Sequence, residues 1–355
     1  MTRTDRIAAE LKDPSHAALI TSPVSRQYSV GFRSSAGVVF ITQEKSYFLI
    51  DARYYEQAAE RADGVEVQLL TDMRKQLWAI IENHGIKVIS IENKTVTVSE
   101  LEDFRKLFNP LTVDPSGWLS STIEKMRIVK SPEEIQKIEA AQRIAESALA
   151  KLITNIRPGM TEKQVASVLD FYMMDLGADG ISFDTIAASG INSACPHAVP
   201  TDKPLQNGEF LTLDFGAVVD GYHSDMTRTV VIGKPDDEMT KVYNAVWGAQ
   251  TDAMKAVHAD VTGKLVDSVA KSTLDAWGYE KFFTHGLGHG VGLEVHEGPT
   301  VSAKSPFTLH EGMVITIEPG VYIPHRYGVR IEDMVVVTTD GCINLTKAPK
   351  TLIYI

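Results

Sequence analysis

Cysteine is nearly absent from this chain. Cys195 and Cys342 are the only two in 355 residues, so no disulfide framework is available. That excludes a cross-linked secreted scaffold and fits a reducing cytoplasm. Positive charge is also scarce. Against 46 Asp and Glu there are 35 Lys and Arg, a net charge of −11, which disfavours nucleic acid and anionic membranes as partners. No apolar run reaches the roughly 18 residues that a bilayer span needs, and Met1–Pro14 is polar and charged where a secretory signal would be apolar. The rest of the composition, 44% hydrophobic and 23% charged, is that of an ordinary globular protein. Its length suits two domains.

The pattern of residues divides the chain in the same way. In the first 122 residues strands and helices alternate. Strands are expected at 37–41, 47–50, 65–70 and 87–91, and helices at 54–61 and 73–84. That is a small α/β domain. Ser131 is then a candidate N-cap, with Pro132 at the first helical position and Glu133 and Glu134 in the first turn. A long amphipathic helix through Ile138, Ala141 and Leu149 should open a second domain, 123–355. This second part carries a faint repeat: 160–178 resembles 261–279, each reading as a Thr-capped helix closed by a glycine. A duplicated unit of this kind would form a pseudo-twofold domain with a site between its halves.

Five residues of the C-terminal half stand in turn-bounded, apolar surroundings: Asp214, Asp225, His289, Glu318 and Glu332. Buried carboxylates are costly unless paired or metal-bound. Four of them with one imidazole are enough donors for two divalent ions side by side. Asp220-Gly221 is a strong two-residue hairpin signal. It should set Val219 opposite Tyr222 and Gly216 opposite Asp225, leaving Asp214 and Asp225 as diagonal neighbours on one face. Three of the chain's 10 histidines, His285, His289 and His296, fall in a glycine-rich block that cannot be a stable helix. Taken singly, Glu318 and Glu332 read as surface charges on edge strands, and His197 reads as structural.

Together these segments carry more information. Leu213–Gly216, Ser224–Thr229, His285–Glu297, Thr316–Gly320 and Val329–Asp333 resemble, in order, the motifs of the metallopeptidases that include proline dipeptidase, aminopeptidase P, methionine aminopeptidase and creatinase. The resemblance covers nearly the whole chain. It implies an α+β protein: a creatinase-like N-terminal α/β domain, 1–122, and a pseudo-twofold "pita-bread" catalytic domain, 123–355. It implies that Asp214 chelates one metal, that Asp225 and Glu332 bridge two, and that His289 and Glu318 complete the second. Glu318 would also be the general base. His197 and His296 would orient substrate and stabilise the tetrahedral intermediate, Arg330 would support the site through hydrogen bonds, and Tyr222 would lie nearby.

The expected reaction is hydrolysis of the bond between an N-terminal residue and proline, with a bridging hydroxide as nucleophile. The oxygen-rich donor set favours Mn²⁺, with Co²⁺ or Zn²⁺ as alternatives. A dedicated site makes sense for this bond, because proline fixes the backbone and lacks an N–H. Small peptides with proline second are the expected substrates of a cytoplasmic homodimer. The first reading is a dipeptidase. Thr300 stands where some strict dipeptidases of the family carry an arginine for the substrate carboxylate, which leaves aminopeptidase P activity on longer peptides as the alternative. A non-catalytic peptide-binding relative is a remote third reading, since all five ligands are present.

Overall fold

A computed structural model describes all of residues 1–355. The chain forms two compact units, Met1–Arg127 and Ile128–Ile355. The expected boundary at 122/123 falls inside a continuous helix, Trp118–Ile128.

The first unit is built on a six-stranded mixed sheet. Its strands are β1 (His16–Ile20), β2 (Val38–Ile41), β3 (Ser46–Ile50), β4 (Glu66–Leu69), β5 (Val88–Ile91) and β6 (Thr112–Asp114), in spatial order β4-β3-β2-β1-β5-β6. The β1–β2–β3 meander is antiparallel, and the outer pairings β3–β4, β1–β5 and β5–β6 are parallel. Parallel neighbours need crossovers. α3 (Tyr55–Arg61) makes the β3–β4 crossover and α5 (Val98–Phe108) the β5–β6 one, while α2 (Pro23–Val30), α3 and α4 (Met73–His84) lie on the path from β1 to β5; α1 (Arg3–Ala9) precedes the sheet and α6 (Trp118–Ile128) follows it. Leu19, Phe40, Leu49, Ile89 and Phe108 are fully or almost fully buried in its core. The expected α/β alternation is present.

The second unit opens with α7 (Pro132–Ile153), whose Ser131–Glu134 capping box forms as the sequence suggests. Next come α8 (Glu162–Asp175), β7 (Gly180–Ile181) and β8 (Ile186–Ser189). A long hairpin follows, made of β9 (Glu209–Phe215), β10 (Ala217–Val219), β11 (Tyr222–His223) and β12 (Met226–Ile232). The second half contains α9 (Asp237–Lys255), α10 (Gly263–Ala276), β13 (Gly288–Gly290) and β14 (Glu297–Val301). It closes with β15 (Val314–Ile317), β16 (Gly320–Ile323), β17 (Tyr327–Arg330), β18 (Asp333–Thr338) and β19 (Gly341–Asn344). One core joins α7 and α8 to β8, β9 and β12 through Leu149, Leu169, Leu213 and Val230. The other joins α9 and α10 to β15, β17 and β18 through Val246, Leu274, Ile315 and Val335. No helix is long and apolar enough to cross a membrane.

The repeat seen in sequence is physical. Thr161 caps α8 by accepting from Gln164 N, and Thr262 caps α10 by accepting from Leu265 N. At the far ends Ala178 N donates to Met173 O, as Tyr279 N does to Leu274 O, each past a glycine of positive φ. Leu205 N donates to Met160 O, and Leu309 N to Val261 O. Each half thus repeats a helix, its terminating turn and the returning strand.

Candidate metal centre

Local sequence sets the first two carboxylates. Asp220 and Gly221 both take positive φ, 50° and 79°, the backbone of a tight hairpin turn. The expected register holds: Val219 faces Tyr222 and Met226 faces Phe215, which puts Gly216 opposite Asp225. Asp214 pairs with Thr227, so Asp214 and Asp225 share a face of the hairpin. The two glutamates depart from the edge-strand reading each has when taken singly. Neither lies on an exposed edge. Glu318 follows the end of β15, and Glu332, 1% exposed, sits in the junction between β17 and β18. Glu332 is drawn inward because its backbone N donates to Thr227 O and its carboxylate accepts from Thr227 Oγ1 at 2.7 Å. Glu318 N donates to Leu287 O.

His289 arrives on β13, an extended segment and no helix. A β-bulge at His289/Gly290 re-aims the ring. Its two flanking glycines are there for close approach: a Cβ at Gly288 would collide with Thr316 O, and one at Gly290 with Gly298 O. His289 Nδ1 lies 3.1 Å from Gly290 O, and a carbonyl can only accept, so Nδ1 carries the proton. The Nε2 lone pair therefore points at Asp225 Oδ2, 3.6 Å away, and Glu318 Oε1, 3.4 Å away. Burial pushes His289 down to about 4, so it is neutral and these contacts are no ion pair. A lone pair aimed at two carboxylates calls for a cation between them.

The electrostatics lead to the same requirement. Burial, then the neighbouring carboxylates Glu332, Asp214 and Glu318, pushes Asp225 well above the usual carboxylate range. Glu332 is raised in the same way, by burial and then by Glu318 and Asp214. Glu318 is pushed up to about 8, chiefly by burial. Asp214 Oδ1 is buried without a hydrogen-bond partner. Donor atoms of Asp225, His289 and Glu332 lie within 4.8 Å of one another. The residues fit divalent cations: hard oxygens, one oriented imidazole and an unsatisfied buried oxygen.

Arg330 fastens this cluster together. Its guanidinium donates to Asp214 Oδ2 (2.7 Å), Thr227 Oγ1 (3.0 Å), Tyr322 OH (2.7 Å) and Pro196 O (3.1 Å). Tyr322 OH donates a hydrogen bond to His285 Nε2 at 2.9 Å, because His285 Nδ1 donates to Gly286 O. Burial holds His285 down near 4 and lifts Tyr322 to about 12, so both are neutral.

All the expected site residues meet at one cavity of about 480 Å³: His197, Asp214, Asp225, His289, His296, Glu318, Arg330 and Glu332 line it. The His296 ring stands 4.3 Å from that of His289, edge to face. Tyr222 is the exception. It does not line the cavity, and its hydroxyl donates to Glu134 Oε1 at 2.7 Å, because residue 222 lies beyond the hairpin's break, across from α7. Sequence reasoning missed the His285–Tyr322 pair and the apolar wall of Phe183, Ile186, Pro196, Ala198 and Val199. His285 was visible in the local excess of histidine. The wall left no pattern at all.

Comparison with known proteins agrees with this geometry. Residues 136–339 match metallopeptidase family M24, and residues 3–129 match the creatinase/prolidase N-terminal domain. The chain belongs to family M24, an enzyme family dependent on divalent metal ions. It is 38% identical to the Xaa-Pro dipeptidase of Pyrococcus horikoshii over 96% of this chain and 95% of that one. Among solved structures it resembles the Xaa-Pro dipeptidase from Bacillus anthracis (37% identity, TM-score 0.94, 99% of each chain). It also resembles the X-Pro aminopeptidase from Thermotoga maritima (37% identity, TM-score 0.92, 99% of this chain and all of that one).

Proposed function

We propose that this chain is a metallo-exopeptidase that hydrolyses the bond between an N-terminal residue and proline, acting first as an Xaa-Pro dipeptidase. One observation carries the proposal: four carboxylates and an oriented, neutral His289 line a peptide-sized cavity together with the apolar Phe183, Ile186, Pro196, Ala198 and Val199. Asp214 would hold one divalent ion, Asp225 and Glu332 both ions, and His289 and Glu318 the second. Bound ions supply Lewis-acid activation of water and of the scissile carbonyl. Mn²⁺ is the ion this oxygen-rich set favours.

The chain's own groups do the rest. Glu318 accepts a proton from the attacking water and returns it to the proline nitrogen as that nitrogen leaves. His197 and His296 donate hydrogen bonds to the carbonyl oxygen as its negative charge grows. Phe183, Ile186 and Val199 pack the pyrrolidine ring and exclude water. Arg330 keeps Asp214 aimed inward. The two free cysteines support a cytoplasmic location, and small peptides are the substrates.

A second reading, aminopeptidase activity on longer peptides, has one observation in its favour. Thr300 is exposed on β14 and does not line the cavity, and the sole Lys or Arg of the lining, Arg330, is already engaged by four acceptors. No spare cation of the cavity is left for a dipeptide's carboxylate. Hydrolysis of Met-Pro and of a tetrapeptide Xaa-Pro-Yaa-Zaa by Mn²⁺-reconstituted protein separates the two. Faster dipeptide turnover supports the first reading, and faster tetrapeptide turnover replaces it with the second. Silence on both rejects proline-directed hydrolysis.

A further inference from the structure

Glu162 occupies the first turn of α8 and is fully buried, yet it does not line the cavity. Its carboxylate is saturated by donors from a single loop. Oε1 accepts from Ser189 N (2.7 Å), Ser189 Oγ (2.9 Å) and Asn192 Nδ2 (3.1 Å). Oε2 accepts from Thr201 N (3.0 Å), Thr201 Oγ1 (2.6 Å) and Asn192 Nδ2 (3.0 Å). One carboxylate thus ties the start of the loop, its middle and its end to one point. Between the tied ends run Pro196, His197, Ala198 and Val199, which all face the cavity. His197 itself is exposed, and its neighbours are held on one side by Arg330, which donates to Pro196 O, and on the other by the burial of Ala198.

The repeat within the fold provides a control. The position equivalent to Glu162 in the second half is Gly263, at the start of α10, where a Cβ would lie 2.7 Å from Thr300 O. There the returning chain fills the space directly, and Thr262 caps the helix unaided. A carboxylate is therefore not needed to begin this helix. In the first half it serves the loop. Hydrogen bonds to a charged acceptor are the strong kind, and removing the acceptor strands several buried donors.

We propose that Glu162 is a positioning residue for His197: it fixes the path of residues 190–200 so that the imidazole meets the reacting carbonyl, and it acts on the reaction through that loop alone. This rests on the role given to His197 above. Glu162→Gln is the informative variant. An amide offers one acceptor oxygen and turns an NH₂ on the donors at the other end, so one end of the loop comes free.

With Mn²⁺ and Met-Pro, E162Q is expected to lose roughly 10- to 100-fold in kcat, with a smaller rise in KM because Val199 is carried by the same loop. Amide hydrogen exchange should rise in 190–201 and stay constant in β9 and β12, with metal content unchanged. In a double-mutant cycle, E162Q should cost nothing further in kcat once His197→Ala is present. Losses that multiply, or wild-type exchange in the loop of an impaired E162Q, would overturn the proposal while leaving His197's role intact. A fully active His197→Ala would remove that role, and the proposal with it. Should E162Q not fold, Asn192→Ala, which withdraws one donor from the loop side, carries the same cycle with a smaller effect.

Discussion

Charge and direction meet in single side chains here. Arg330 contacts a ligand carboxylate, a threonine that steadies Glu332, a tyrosine and a loop carbonyl through one planar fork. A lysine has the charge but not the fork. Arg330→Lys is therefore expected to retain the fold and lose about 10- to 100-fold in kcat/KM, as removing a group that supports metal ligands does. Steady-state kinetics with metal content measured alongside will check it. A second expectation follows from the raised carboxyls. Without metal, Glu318 at about 8 retains its proton at neutral pH, and burial with the neighbouring carboxylates pushes Asp225 and Glu332 well above the usual carboxylate range. Metal uptake must expel the protons these carboxyls hold, so affinity should rise with pH from 6 through about 8. Calorimetry in two buffers of different ionisation enthalpy measures the released protons. Equal apparent enthalpies in both would contradict this.

Elements differ in how much of them can be read from sequence, and the reason is the range of the interaction involved. The hairpin was legible down to its register, since Asp220-Gly221 fixes the turn locally and the strand period assigns the faces. The caps at Ser131, Thr161 and Thr262 were legible too, each being a contact over three residues. The burial of Glu318 and Glu332 was not, because it depends on where β9, β12 and β13 lie in space. Nor was the apolar wall at 183–199, whose residues lack any period. The local character of the turn can be tested. Gly221→Ala puts a Cβ at φ 79° and should cost about 1–2 kcal/mol, read as a lower urea midpoint at unchanged m-value.

For the whole molecule, ligand binding and stability are one equilibrium. Asp214 and Asp225 come from one half of the pseudo-twofold unit, and His289, Glu318 and Glu332 from the other, so ions bound between them would cross-link the two cores. At a free metal concentration 100 times its Kd, one bound ion adds about 2.7 kcal/mol to unfolding. Chelation should therefore lower Tm, and Mn²⁺ should restore it. A Tm insensitive to chelator would mean that the five donors hold no ion. The duplication itself was visible as paired threonines and glycines, although sequence could not show that the equivalent loops are secured by different means.

The crowded carboxylates have a consequence for the history of such a chain. Holding them together burdens the metal-free fold, so replacing one by a neutral isostere lightens it. Asp225→Asn should bind no metal and turn over no substrate, yet its apo form should melt at or above the apo wild type in calorimetry. Loss of chemistry is then downhill for folding, and its recovery uphill. Drift alone would erode the centre first and the scaffold last, leaving sound folds without a reaction. A donor set that stays intact is what continued selection on turnover, and not on folding, would leave.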